Sequence, residues 1–375
     1  MIEAAQGGTP PRCADDTERQ NVIMAKFKEF LQRKDIVISP QRYLIEALGA
    51  MAQGLFASLL IGTIIKTLGQ QTGLEALVEI GTYASAMSGP AMACAIGWAL
   101  HTPPLVLFSL ITVGYSANAL GGAGGPLAVL IIAIVAAELG KAVSKETRVD
   151  ILVTPLVTIF SGVGLSMLIA APIGAAASKV GALIMWATEQ APFVMGILVS
   201  VIVGVALTLP ISSAAICAAL GLTGLAGGAA VAGCCAQMIG FAFMSYRENG
   251  VGGLVSQGLG TSMLQMGNIV KNPRIWIAPT LASAITGPLA TCVFHLEMNG
   301  AAVSSGMGTC GLVGQIGVYT GWVNDVAAGV KAAITPWDWA GLVLICFVLP
   351  ALLSVAFCEA ERRLGWIKDG DLKLN

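Results

Sequence analysis

The chain has 375 residues, 56% of them hydrophobic and only 11% charged, with a net charge of −1 and a mean hydropathy of +0.80. A soluble protein carries about a quarter charged residues, so this chain lacks the polar groups to cover a water-facing surface. The near-zero net charge gives no basis for a nucleic-acid partner. Neither Ile80–Ala137 nor Ala191–Tyr246 contains a single Asp, Glu, Lys or Arg. A membrane helix needs about 20 apolar residues, so each run holds at least two spans.

In chain order, residues 1–22 are polar and contain no apolar core of a cleavable leader; they read as a disordered cytoplasmic tail. Residues 23–35 predict a short amphipathic surface helix. Met24, Phe27, Phe30 and Leu31 share one face, and Lys26, Lys28, Glu29, Arg33 and Lys34 lie elsewhere. These basic residues and Arg42 precede the first span, which places the N-terminus in the cytoplasm. Apolar segments follow at 43–67, 77–100, 103–119, 124–142 and 151–175. A second amphipathic piece covers 178–190, and further segments cover 191–210, 212–246, 276–297 and 337–358. Trp276, Trp337 and Trp339 stand at segment ends as interfacial anchors. The charged tail 359–375 reads as cytoplasmic, so the number of crossings is even. The expectation is an all-α polytopic membrane protein with about eight to ten transmembrane helices.

Two stretches fit poorly as spanning helices: 249–270 and 299–322, both rich in Gly, Ser and Thr. Irregular backbone at membrane depth survives only where protein or a water-filled cavity satisfies it. Both are therefore expected to form re-entrant hairpins. Ordinary spans with glycine-mediated packing are the alternative.

Gly306, Gly308 and Gly311 match G-x-G-x-x-G. That motif binds dinucleotides only between a strand and a helix with an acid about 20 positions on, and these flanks are membrane segments. No Walker A sequence occurs. The nine cysteines form no C-x-x-C pair, so no metal site, cofactor or catalytic residue is expected. His295, Glu297 and Asn299 end a charge-free run that begins at Ile275. Ionisable groups at such depth are functional candidates. Spacing by two puts them on one side of an extended segment, where a carboxylate and an amide would suit the hydroxyls of a neutral polyol. The alternative is a span ending at Thr291 with the triplet solvated at the interface. Gln315 and the backbone at Gly306, Gly308 and Gly311 join the expected binding set, with Asn118, Gln265 and Asn268 as secondary candidates. His101, Glu138 and Lys141 read as helix-end residues.

The stretches VDILVTPLVTIFSG (149–162), VKNPRIWIAPTLASAITGPLAT (270–291) and GAAVSSGMGTCGLVGQIG (300–317) resemble enzyme IIC, the membrane component of the sugar phosphotransferase system. The narrower resemblance is to its stand-alone, perfringolysin-regulator-like branch. It implies the glucose-superfamily enzyme IIC fold in a bacterial cytoplasmic membrane and a homodimer. Residues 43–246 would then be mainly scaffold and dimerisation half, and 249–358 mainly transport half. It also implies sugar held between hairpins, with Glu297 at the position of a sugar-binding glutamate, although His-Leu precedes it where relatives have an apolar-Thr pair. No phosphocysteine domain is recognisable, so separate IIB and IIA phosphocarriers would supply phosphate. The expected function is transport of a small neutral polar solute, a sugar or sugar derivative, by a moving domain. A non-phosphorylating transporter and a membrane-bound regulator or sensor stay open.

Overall fold

The computed structural model describes residues 24–25 and 28–374. The expected tail 1–22, Cys13, and Lys26 and Phe27 of the surface helix lie outside them. The described residues contain helices and no strand; one isolated bridge joins Gly224 to Met298.

Helix α1 runs Gln41–Thr72 and stops at Gly73, whose left-handed φ of 72° lets the chain turn without a Cβ clash. α2 (Glu75–Ala86) and α3 (Ser88–Ala99) return along it. Gly54 lies against Ala91, Gly62 against Ser85 and Gly69 against Val78, so small residues bring the two backbones close along the whole length. α4 (Pro104–Gly121) and α5 (Gly125–Val143) form a second helical hairpin that folds at the glycines 121–125. α6 (Asp150–Thr188) merges the expected 151–175 span and the 178–190 amphipathic piece into one 39-residue helix. A widened turn at Ser166–Ala170 absorbs the backbone bond that Pro172 cannot make.

α7 (Pro192–Thr208), the short α8 (Ser213–Ala219) and α9 (Gly224–Met244) follow. The first irregular stretch holds α10 (Tyr246–Val255) and α11 (Met266–Lys271). α12 (Pro273–Val293), α13 (Val313–Ala327) and α14 (Pro336–Arg363) complete the fold. α9 is the central rod, buried over nearly all its length and wrapped by α7, α12 and α14. This bundle therefore draws on residues within the 43–246 stretch. Against the expected eight to ten crossings, six continuous stretches among the described residues are long and apolar enough to span, and α7 is a shorter apolar helix. One of the six, Pro104–Val143, is the α4–α5 hairpin.

Residues 28–33 are helical, and Arg33 and Lys34 lie over the Phe30 ring at 5.5 and 5.9 Å. This segment is tied to the bundle by charge. Arg42 holds Asp35 through two hydrogen bonds of 2.6 and 3.0 Å. The side chain of Lys141, 1% exposed, donates to Asp35 O (2.7 Å) and Leu100 O (3.0 Å) and lies 3.0 Å from Glu138 Oε2. Glu138 Oε1 accepts from Tyr43 Oη at 3.1 Å.

The hydrogen bond from the Arg42 guanidinium lowers the Asp35 carboxyl to about 2 from an ordinary 3.8. A depressed folded-state value means the contribution is complete above the ordinary value and is lost as pH falls through about 2. Pepsin cleavage near Phe30 and Leu31 checks this. Wild type resists at pH about 4 and becomes susceptible toward pH about 2, whereas Asp35→Asn is already susceptible at the higher pH.

Candidate functional site

Both glycine-rich stretches fold back on themselves. In the first hairpin (246–271), Gln257 on the outgoing arm accepts from Gln265 Nε2 on the returning arm at 2.8 Å. The chain reverses at Gly260 and the extended Thr261. In the second (299–327), an irregular arm lies along α13. Asn299 packs on Gly321, Gly300 on Gly317, and Gly314 N donates to Gly308 O at 3.0 Å. Glycine is required at Gly308 and Gly311, where φ is 55° and 51°. A Cβ at Gly306 would come within 2.6 Å of Ser213 O on α8.

The two tips meet. Thr309 Oγ1 donates to Gly258 O at 2.5 Å, and Ser262 Oγ lies 2.8 Å from Thr208 Oγ1. Gln237, fully buried on α9, accepts from Trp276 Nε1 at 2.9 Å beside them. The aromatic ring of Phe56 packs against Gly260, and Ile64 against Gly311, so α1 braces both tips.

A cavity lies on either side of this junction, and α1 walls both. One, of about 690 Å³, is lined by Glu46, Gln53, Trp98, Asn268 and Lys271. The other, of about 530 Å³, is lined by Thr63, Lys66, Gln70, Ser304 and Thr320, among others. Their linings on α1 end at Gln53 and resume at Leu59, about 9 Å of helix, with Phe56 between. Sequence reasoning passed over these residues, although a signal was present. Thr63, Lys66, Thr67 and Gln70 recur at i, i+3, i+4 and i+7, a polar stripe that lines the smaller cavity.

The expected triplet sits at the base of the second hairpin. Residues 295–299 are unwound; His295 takes a left-handed φ of 47°, and Glu297 and Asn299 touch each other. All three residues are exposed or half-exposed and line neither cavity. The reason lies in the alternate residues. Leu296 and Met298 are buried, and Met298 exchanges two backbone bonds with Gly224, so the odd positions must point outward. Asn299 Nδ2 donates to Glu297 Oε2 (3.1 Å) and to Asp325 Oδ2 (2.8 Å), adding a carboxylate that sequence reasoning did not name. None of the three lines the smaller cavity, whose wall takes in Ala301 and Thr320 further along the same two arms.

Gln315 is buried on α13. Its Nε2 donates to Cys235 Sγ at 3.1 Å and its Oε1 has no partner. Gln265 and Asn268 belong to the first hairpin, at the larger cavity's end. Asn118 is remote from both hairpins and bonds Ser88 Oγ at 3.4 Å on the α3–α4 face. Among the described residues no cluster of His, Cys, Asp and Glu has the makings of a metal site.

No curated protein and no solved structure matches the chain. The family model described as phosphotransferase system, EIIC, matches residues 45–374. With the apolar helices described above, this makes the protein a multi-pass membrane transport component. The chain belongs to the EIIC family of the phosphotransferase system.

Proposed function

We propose that the chain carries a small neutral polar solute, a sugar or sugar derivative, along α1. In this reading the meeting hairpin tips are the barrier between two half-paths. The observation that carries it is the pair of cavities at the two ends of one span-length helix, separated by Phe56 and the tips. Irregular backbone lining a hollow is what a solute path within a bilayer requires. Movement of one helical body against the other would open the barrier to one cavity and then the other. Separate IIB and IIA phosphocarriers would phosphorylate the cargo, with both termini in the cytoplasm of a bacterial cell.

Hydroxyls and amides around the smaller cavity offer donors and acceptors without a large net charge, which suits a polyol. In a conformation that turns the base of the second hairpin into the path, the Glu297–Asn299–Asp325 cluster would hold solute hydroxyls. Ile151, Leu156, Phe160 and Leu168 leave an exposed apolar face on α6, which supports lipid contact and a homodimer.

Counterflow of labelled monosaccharides in proteoliposomes tests the function: flux is expected, and binding without flux would instead make the protein a sensor. Within that assay, Glu297→Gln should weaken binding by about 10- to 100-fold, the value of a hydrogen bond to a charged group. Unchanged affinity in both Glu297→Gln and Glu297→Ala removes this residue from the site.

A further inference from the structure

The segment Trp366–Leu374, which follows α14, lies across the base of both arms of the first hairpin. Its backbone is held there by side-chain amides. Asn249 Nδ2 donates to Leu372 O at 2.8 Å, and Asn249 Oδ1 accepts from Leu374 N at 2.8 Å. Gln265 Nε2 donates to Leu372 O at 2.9 Å, and Asn268 Nδ2 to Lys373 O at 2.9 Å. Asn272 Nδ2 reaches Trp366 O and Asp371 Oδ2, both at 2.9 Å. Leu372 is fully buried, so the segment is plugged in as well as bonded.

These amides do not stop at the segment. Asn268 Nδ2 also donates to Gln265 Oε1 at 2.8 Å, Gln265 Nε2 to Gln257 Oε1 at 2.8 Å, and Gln257 Nε2 to Ser245 Oγ at 2.8 Å. Gln257 and Gln265 are fully buried. Gln257 stands in the widened turn Ser256–Gly260, and Gly258 of that turn receives the Thr309 hydroxyl. An unbroken run of hydrogen bonds and one helical turn therefore joins Lys373 O to the contact between the tips. An amide donates and accepts at once, so each member fixes the orientation of the next without burying a charge.

We infer that Asn249, Gln265 and Asn268 are positioning residues. By clamping Trp366–Leu374 across the hairpin base they set the tip of the first hairpin, and so the barrier. The same segment contributes Lys373 and Leu374 to the wall of the larger cavity. Lifting it would open that cavity and free the tip together. The consequence for transport rests on the proposed solute path; the coupling itself does not.

Hydrogen exchange on the full-length chain in nanodiscs, without solute, tests the coupling. Two variants loosen the segment by different means: Asn249→Ala with Asn268→Ala removes three of the six amide bonds that hold it, and Leu372→Ser removes the plug. In both, amides of residues 256–262 should exchange at least about tenfold faster, while α9 and the α4–α5 hairpin keep their protection. Faster exchange confined to 366–374, with the tip unchanged, overturns the inference. So does deprotection spreading equally into α9, which would mark the segment as general scaffolding. Absent solute flux alongside a positive exchange result would count against the transport reading alone.

Discussion

Replacing Lys141 with alanine is expected to cost about 3–5 kcal/mol, because it leaves a buried charge without its partner. Glu138 Oε1 keeps the Tyr43 hydroxyl, but Oε2 has only the Lys141 ammonium at 3.0 Å. The same ammonium donates to Asp35 O and Leu100 O; its loss strips Asp35 O of that bond, while Leu100 O keeps the Arg42 guanidinium at 3.1 Å. Removing both charges, with Lys141→Met and Glu138→Leu together, should be milder than Lys141→Ala. A hydrophobic pair of similar volume replaces a buried ion pair at little or no cost. The lifetime of the folded protein in detergent at fixed temperature ranks the variants, since membrane proteins of this size unfold irreversibly. A double variant as damaged as the single would refute the ion-pair account.

Gly308→Ala is expected to be the most damaging small change at the hairpin tips. The left-handed backbone at φ 55° costs an alanine about 1–2 kcal/mol. The new Cβ would also lie 2.7 Å from Cys234 Cβ and 2.9 Å from its carbonyl carbon, on the buried central helix. Overpacking of this kind adds about 1–3 kcal/mol. Either the tip lifts from α9 or α9 shifts; both disturb the Thr309–Gly258 contact, so flux should fall along with stability. Gly164→Ala is the control: nothing lies within 4 Å of its added Cβ, and it sits in a regular helix. It should gain about 0.5–1 kcal/mol. Equal lifetimes for the two variants would show that the tip is not tightly packed.

What the sequence made legible was the membrane environment and the two irregular stretches. Charge-free runs fix the first, and glycine density with hydroxyl residues marks the second. That each stretch doubles back follows less directly. The glycines allow the arms to touch, but only the packing of Gly300 on Gly317 shows which ones do. The stretch 295–299 is unwound, with His295 itself in the left-handed region at φ 47°. Its facing was not readable, because which alternate residues turn inward depends on Met298 meeting Gly224, 74 positions earlier. Lys141 read as a helix-end residue because its partners come from residues 35, 100 and 138, of which only Glu138 is near in sequence. The amides of the first hairpin were visible one by one, but their common partner is a segment about 105 residues downstream of Asn268. The polar stripe on α1 was the one site feature within reach of periodicity alone.

α6 is longer than any bilayer is thick. Its 39 residues extend about 58 Å at 1.5 Å per residue, against a hydrocarbon slab of about 30 Å. Only 22% of its most apolar stretch is buried, so its neighbours within the chain shelter little of it and the rest is left for lipid or a partner subunit. The helix must lean or project, and the angle follows acyl-chain length. Reconstitution in short-chain and long-chain lipids should therefore tune the protein's conformational balance with no change in its sequence.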